Sequence, residues 1–90
     1  MPPSTTEQSL AAAVRDHGAG RLAQAEAVYR QVLAEQPDHP DALNLLGVLE
    51  HQAGRSDAAK ARLEQGIASA QRTGNQHAQG EMEALLEELE

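Results

Sequence analysis

The feature that most constrains the fold of this chain is a repeat with a period of thirty-four residues. When the sequence is shifted by that distance, nine of the twenty-eight positions between residues 10 and 37 are identical. The abundance of alanine explains some of these identities, but it does not explain why Gly20-Arg21 returns as Gly54-Arg55 and His17 as His51. A fixed period of this length is typical of helical arrays, in which each unit packs against its neighbours.

Composition and helix breakers predict an all-α domain of five helices. Good helix formers dominate the sequence, and Tyr29 is its one aromatic residue. The predicted helices run from the Ser4–Glu7 segment to about His17, from Leu22 to Glu35, from Asp41 to about Gln52, from Asp57 to about Arg72, and from about Gln76 onwards. The breaks between them are short, so neighbouring helices should pack antiparallel.

Polar residues and one proline predict how several of these helices begin. Ser4 and Glu7 have the spacing of a capping box. Ser56 and Asn75 are suitable N-caps for the fourth and fifth helices. Pro40 suits the first turn of the third helix, because an amide hydrogen is not needed there.

The residues at fixed positions within the period resemble those of the tetratricopeptide repeat family. Its unit is thirty-four residues long and forms a helical hairpin. Its pattern is a large residue, then Leu-Gly, then an aromatic residue, later Ala and a second aromatic residue, and finally Pro. The matching positions are Ala12-Ala13, Ala25, Tyr29 and Pro37 in the first unit, and Leu43, Leu46-Gly47, Ala59 and Leu63 in the second. The junction PDHPDALNLLG, residues 37–47, is also similar to the family's join between repeats.

This resemblance implies a right-handed α-α superhelix of antiparallel hairpins. Repeat one is expected at 6–39, repeat two at 40–73, and a capping helix at 74–90. Small residues at Ala25, Gly47 and Ala59 are expected where the two helices of a hairpin cross closely. Tyr29, Leu46 and Leu63 are expected to fill the space between hairpins.

The sequence also departs from the family pattern. Asp16 and Glu50 stand where the family has an aromatic residue, and Ser9 where it prefers a large one. Gln71 replaces the closing Pro of the second unit, which predicts a longer fourth helix. Arrays usually need about three repeats for stability. Two repeats and a helix therefore leave open a homodimer or a longer natural chain.

The resemblance further implies that the first helix of each hairpin lines a concave groove that receives peptides. The groove residues carried over to this chain are Glu7, Leu10, Val14, His17, Asp41, Asn44, Val48 and His51. The alternative is that these are ordinary exposed residues of a bare scaffold.

The chemistry of this set indicates what kind of partner it suits. Members of the family that bind a C-terminal carboxylate use Lys, Arg and Asn on this surface, and here Asn44 is the one such residue. Anionic peptide tails are therefore poor candidates. Apolar side chains rimmed by Glu7 and Asp41 suit an amphipathic helix or a peptide with some basic character.

The four histidines do not predict a metal site. His17 and His51 share one repeat phase, which would suit a metal or a pH-sensitive contact. Zinc needs three or four ligands, and the sequence offers no third, so we expect no metal and no cofactor. Two exposed imidazoles, repeated because the unit repeats, are the simpler interpretation. His39 and His77 lie at helix boundaries and are expected to have little role.

Charge, hydropathy and reactive residues exclude several classes of function. The net charge is -7, with 14 acids and 7 bases, and no basic stripe suggests nucleic-acid binding. The apolar runs are too short to span a bilayer, and the chain has no cysteine and no signal-peptide pattern at its start. No nucleophile has a base beside it. A cytoplasmic protein that is not an enzyme is expected.

Three functions remain open from the sequence. The first is a binding module that offers a shallow groove to a peptide or helix. The second is an N-terminal docking module of a larger bacterial enzyme. The third is a homo-oligomer that uses an apolar stripe on the last helix, which consists of Met82, Leu85, Leu86 and Leu89. This stripe is expected to cover the chain's own fourth helix, and in a homo-oligomer it would complete another copy's array instead. The acidic run that ends the chain is expected to be a solvated helix face, the alternative being a docking tail for a basic partner.

Overall fold

The structure, a computed structural model, describes residues 5–90, and these residues form five α-helices and no strand. The helices are α1 (Thr5–Gly18), α2 (Leu22–Glu35), α3 (Pro40–Gln52), α4 (Ser56–Thr73) and α5 (Gln76–Leu89). Their ends agree with the predicted ends to within about one residue. Connections of two to four residues join them, so each helix folds back against the one before it.

The repeated Gly-Arg pair forms the same helix terminus twice. Gly20 and Gly54 have φ angles of 86° and 80°, a left-handed conformation that glycine adopts without steric cost. After each glycine, the arginine amide donates to a carbonyl five residues back, from Arg21 to Asp16 and from Arg55 to Glu50, at 2.8 Å in both cases. This is the Schellman arrangement, and it fixes the reversal of the chain between the helices of each hairpin.

The helix starts agree with the predicted caps in part. The Asn75 side chain accepts a hydrogen bond from the amide of Ala78 at 3.0 Å, so this cap is confirmed. Pro40 occupies the first turn of α3, also as predicted. The prediction for Ser56 was wrong, because α4 already includes Ser56 and is preceded by Arg55, whose side chain makes no cap hydrogen bond. Ser4, the first residue of the predicted capping box, lies outside the described residues.

His39 has a role that the sequence did not indicate. It is the N-cap of α3, where its Nδ1 accepts a hydrogen bond from the amide of Ala42 at 3.2 Å. The side chain of a boundary residue therefore satisfies one of the amides that the first turn of a helix leaves without an intrahelical partner.

The helices of the second hairpin, α3 and α4, cross at the predicted small residues. A Cβ added to Gly47 would lie 2.9 Å from Leu63 Cδ2 and 3.1 Å from Leu63 Cγ. Ala59 is fully buried, as is its equivalent Ala25 in the first hairpin. The absence of larger side chains at these positions lets the two helix backbones approach closely.

The core consists of two apolar clusters along the array. The first joins α1, α2 and α3 around Tyr29, Leu46 and Leu49. The second joins α4 and α5 through Leu63 and Met82. α5 therefore covers the open side of the second hairpin with the apolar face that its sequence predicted.

The fourth helix is longer than the second, as the missing proline predicts. α4 has 18 residues and α2 has 14. Just before the added residues 70–73, the Ser69 hydroxyl donates to the carbonyl of Asp38, and within them Arg72 pairs with the Asp38 carboxylate at 2.9 Å. These contacts attach α4 to the connection between the two hairpins.

The acidic residue at the family's aromatic position is buried. Glu50 is 1% exposed, and its carboxylate accepts from Arg62 Nε at 3.2 Å and lies 3.6 Å from Arg30 Nη2. Arg30 also binds Glu26, which Arg55 binds in turn, at 2.9 Å and 2.8 Å. A chain of alternating charges therefore connects α2, α3 and α4 through Glu50, the position where the family pattern has an aromatic residue.

Candidate partner-binding groove

The first helix of each hairpin, together with α5, lines one open groove. α3 lies in the middle and contacts both α1 and α5. A recess of about 330 Å³ lies among the three helices, and it is lined by Leu10, Ala11, Val14, Asp41, Asn44, Leu45, His77 and Glu81. A second recess of about 540 Å³ lies between α3 and α5, and it is lined by Asn44, Leu45, Val48, Glu81, Ala84, Leu85 and Glu88. Because the two recesses share three residues, they form a continuous surface, which we call the α1–α3–α5 groove.

Five of the eight residues predicted for the groove line these recesses. They are Leu10, Val14, Asp41, Asn44 and Val48. Val14 is 45% exposed, a large fraction for a β-branched apolar side chain. Leu10 is mostly buried and offers the groove only its edge. The shared phase of the two repeats thus brings side chains thirty-four residues apart, Val14 and Val48, to neighbouring helices.

The other three predicted residues lie outside the recesses. Glu7 and His51 are exposed side chains on α1 and α3. His17 instead binds the Tyr29 hydroxyl through Nδ1 at 3.1 Å and Gln52 Oε1 through Nε2 at 2.5 Å. Because Oε1 is an acceptor, Nε2 is the donor to Gln52, and in the neutral imidazole Nδ1 then accepts from the Tyr29 hydroxyl. His17 therefore links α1 to α2 and α3.

Sequence reasoning missed the contribution of α5 to the groove. His77, Glu81, Ala84, Leu85 and Glu88 face it, at the spacing of one side of a helix. His77 was expected to have little role, yet it lines the groove with its Nε2 3.3 Å from Glu81 Oε1.

The thirty-four-residue period could not have found this face of α5. Counting that distance on from Asn44 and Val48 leads to Ala78 and Met82, which are buried against α4. The period fails here because α4 runs past the length of α2, so α5 begins later than a regular third unit would. The signal that could have found this face is the helical spacing within α5, where apolar Ala84 and Leu85 lie between Glu81 and Glu88.

The lining of the groove is acidic: Asp41, Glu81 and Glu88 line the two recesses, with no Lys or Arg among the described lining residues. Arg15 is the one Lys or Arg residue on α1, α3 and α5. The remaining bases lie on α2, on α4 and in the turns before them, at Arg21, Arg30, Arg55, Lys60, Arg62 and Arg72. Within the groove, the Glu81 carboxylate is held by Asn44, whose Nδ2 donates to Oε2 at 3.2 Å.

Outside the groove, the carboxylates of Glu26 and Glu50 are paired with arginines. Hydrogen bonds from Arg55 and then Arg30 lower the pKa of Glu26 from 4.5 to about 2. Burial raises the pKa of Tyr29, with a further contribution from the charge of Asp16. In the described part of the chain, no three His, Asp or Glu side chains are grouped to hold a metal ion.

Comparison with known proteins identifies the family. A model of the tetratricopeptide repeat matches residues 17–87, which is most of the chain. The chain belongs to the tetratricopeptide repeat family. Tetratricopeptide repeats are interaction modules that generally bind protein partners and are generally non-catalytic.

Two solved tetratricopeptide repeat structures confirm the fold. A crystal structure of a tetratricopeptide repeat domain protein from Salinibacter ruber matches with a TM-score of 0.89 and 22% identity over 96% of each chain. A solution NMR structure of a tetratricopeptide repeat domain protein from Salinibacter ruber matches with a TM-score of 0.88 and 23% identity, over 100% of this chain and 91% of that one. At this identity the likeness shows the fold alone, which is the predicted all-α repeat fold. A search of curated proteins gave no significant match.

No helix in residues 5–90 combines the length and the apolar character that crossing a membrane requires.

Proposed function

We propose that this tetratricopeptide repeat chain is a protein-interaction module that binds a peptide or helix of another protein in the α1–α3–α5 groove, without catalysis. The observation that carries the proposal is the position of Val14. Among the described residues, Val14 is the one large apolar residue whose side chain is exposed, and it lines the groove. Exposed apolar side chains that adjoin others in a concave surface mark binding sites more often than isolated ones do.

The contacts proposed for the partner are those that line the groove. Leu10, Val14, Asp41, Asn44 and Val48 are retained from the sequence-based set, and the facing residues of α5 are added to it. Glu7 and His51 are assigned to the edge of the surface, where a longer partner would reach them. His17 is assigned to positioning, because it links three helices beside the groove.

The same proposal includes the division of the chain. Residues 6–39 and 40–73 are two repeats, supported by the matching turns after Gly20 and Gly54. Residues 74–90 are a cap, supported by the packing of Met82 in the cluster that joins α5 to α4. The cap also has a second part in the function, because one face of it lines the groove.

The test is a comparative affinity capture with three baits. The wild-type chain, a Val14→Glu variant and an Ala61→Glu variant are immobilised and exposed to the same lysate of the source cell. Val14 and Ala61 are both exposed helical residues, and Ala61 lies on α4, away from the groove. Both variants gain the same charge, and circular dichroism checks that both keep their helices.

The expected result is a partner retained by the wild type and by Ala61→Glu, and reduced by about tenfold on Val14→Glu, because a charge would be placed in a desolvated contact. Equal retention on all three baits would remove the groove from the proposal. If the retained protein is the chain itself, the function is homo-oligomerisation. If the retained protein is a subunit or substrate of an enzyme, the function is that of a docking module.

A further inference from the structure

The groove has an acidic residue at each end of an apolar patch on α5. Glu81 and Glu88 are seven residues apart, with Ala84 and Leu85 between them on the same face. Seven residues are two helical turns, so the two carboxylates are separated by about 10 Å along the helix. This arrangement is more specific than a cluster of acids, because it gives both a spacing and an order of acidic, apolar and acidic groups.

The opposite wall of the groove continues this order. Leu45 and Val48 of α3 face the apolar patch, and Asp41 lies toward the end of the groove that Glu81 occupies. Two contacts restrict the Glu81 side chain: Asn44 of α3 donates to Oε2 at 3.2 Å, and Nε2 of His77, on the same helix as Glu81, lies 3.3 Å from Oε1. A restricted carboxylate selects the place of a partner's cation better than a mobile one does.

The charge of the groove argues against other occupants. Among the described residues that line the two recesses there is no Lys or Arg, so an acidic segment would bring like charges together. A second copy of α5 would do the same, since α5 carries four Glu and no Lys or Arg. A helix with basic and apolar residues would meet opposite charges at both ends of the patch. Such charge matching raises the rate of association and suppresses wrong partners.

We propose that the groove selects a cationic amphipathic helix, in which two Lys or Arg residues seven positions apart pair with Glu81 and Glu88 while apolar residues between them pack on Leu45, Val48 and Leu85. This inference rests on the proposed function, because it names the chemistry of the partner that the same groove binds. Each exposed ion pair is worth up to about fivefold in affinity. Apolar packing therefore provides part of the affinity, and the spacing of the two carboxylates sets the register in which the partner helix binds.

The probes are three synthetic helical peptides, each 14 residues long like α5. The matched peptide carries two lysines seven positions apart with leucines between them. The shifted peptide has the same composition, but both lysines are moved by two positions, which turns them about 200° around the helix axis. The acidic peptide has glutamates in place of the lysines.

Binding is followed by the amide signals of isotope-labelled protein in NMR titrations, which report both the affinity and the surface that is contacted. The expected result is that the matched peptide shifts the signals of Val14, Val48 and Leu85, and binds about fivefold tighter than the shifted peptide and about tenfold tighter than the acidic one. Raising the salt concentration should reduce these differences.

A pair of variants tests the two carboxylates directly. Glu81→Gln with Glu88→Gln should weaken the matched peptide by about fivefold to tenfold. The control is Glu35→Gln with Glu64→Gln, which makes the same change of charge at exposed residues of α2 and α4, outside the groove. The control variant should bind the matched peptide with the affinity of the wild type.

Other outcomes separate this inference from the proposed function. If all three peptides shift the groove signals with equal affinity, or the acidic peptide binds best, the groove function stands and the cationic partner is wrong. If no peptide shifts the groove signals, but the Val14→Glu variant fails to retain the partner in the capture experiment, the groove function again stands and the cationic partner is again wrong. If neither effect is seen, both proposals fail. Groove signals that move when the protein alone is concentrated would show a second copy as the occupant and overturn the inference.

Discussion

At the scale of single residues, Glu50 shows how a change of residue type can be accommodated without a change of fold. A carboxylate buried at this position is stable only if charged partners replace the water it loses. Arg62 and Arg30 supply these partners, at 3.2 Å and 3.6 Å. Arg30 lies on α2 and Arg62 lies on α4, so these two ion pairs join α3 to both of those helices. Buried ion pairs are rarely more stabilising than apolar packing. These pairs therefore contribute mainly to the specificity with which α3 packs on its two neighbours.

Glu26 extends this network and makes the stability of the fold depend on pH. Its folded-state pKa of about 2 lies below its ordinary value of 4.5. A carboxyl whose pKa is lowered on folding stabilises the protein above its ordinary pKa, and this contribution is lost as the pH falls through that interval. We expect Glu26→Gln to lower the free energy of unfolding by about 1 kcal/mol at neutral pH, because Glu26 is partly exposed to solvent.

The measurement is urea unfolding of the wild type and the variant between neutral pH and pH 2. The difference between the two proteins should shrink as the pH falls from about 4.5 to about 2. Glu64→Gln, at an exposed position of α4, is the control and should differ little from the wild type at any pH. A difference for Glu26→Gln that stays constant over the whole range would contradict the ion-pair explanation.

At the scale of elements, the crossing of α3 and α4 depends on the absence of a side chain. Gly47→Leu should lower the free energy of unfolding by about 1–3 kcal/mol, because its Cβ alone would already lie 2.9 Å from Leu63 Cδ2. Thermal melts followed by circular dichroism measure the effect.

Gly80 provides the matched control for Gly47. It is also a helical glycine, but a Cβ added there would meet nothing within 4 Å. Gly80→Leu should therefore be neutral or stabilising by up to about 1 kcal/mol, since glycine is the poorer helix former. If both variants melt at the temperature of the wild type, α3 and α4 do not pack in the register described.

At the scale of the whole molecule, the two apolar clusters imply that one end of the array can lose stability without the other. α5 is attached mainly through one cluster, in which Met82 is fully buried against α4. Met82→Ala should destabilise this attachment by about 2–5 kcal/mol, because it leaves a cavity that the core cannot fill completely. Stability in repeat arrays is carried by contacts between neighbours, so the loss should be local.

Native-state hydrogen exchange tests this expectation. Amides of α5 should lose more protection in Met82→Ala than amides of α1 and α2. Leu89→Ala, at a half-buried position of the same cluster, should show the same pattern with a smaller effect. An equal loss of protection in all five helices would show that the chain unfolds as one unit and that α5 is not a separable cap. Because α5 also forms one wall of the groove, a local loss would weaken binding before the rest of the fold is affected.

The sequence by itself determined the helices, the turns and the repeat relation between them. These features depend on residues close together in the chain: a glycine that can take positive φ ends a helix wherever it stands, and Gly20 and Gly54 do so in the same way. The equal phase of the two units then placed Val14 and Val48 on one surface. Local chemistry and a regular period were sufficient for that part of the groove lining.

The tertiary structure alone decided which residues complete the groove. The contact of Asn44 with Glu81 spans 37 residues, and it depends on the extra length of α4, which moves α5 out of the regular period. His17 was predicted for the groove because of its phase, but the Tyr29 hydroxyl and Gln52 hold it among three helices. The helix phase sets the side of α1 from which His17 projects, but its hydrogen-bond partners decide which way the ring turns. Such partners lie on other helices, so their distance is fixed only when the helices have packed.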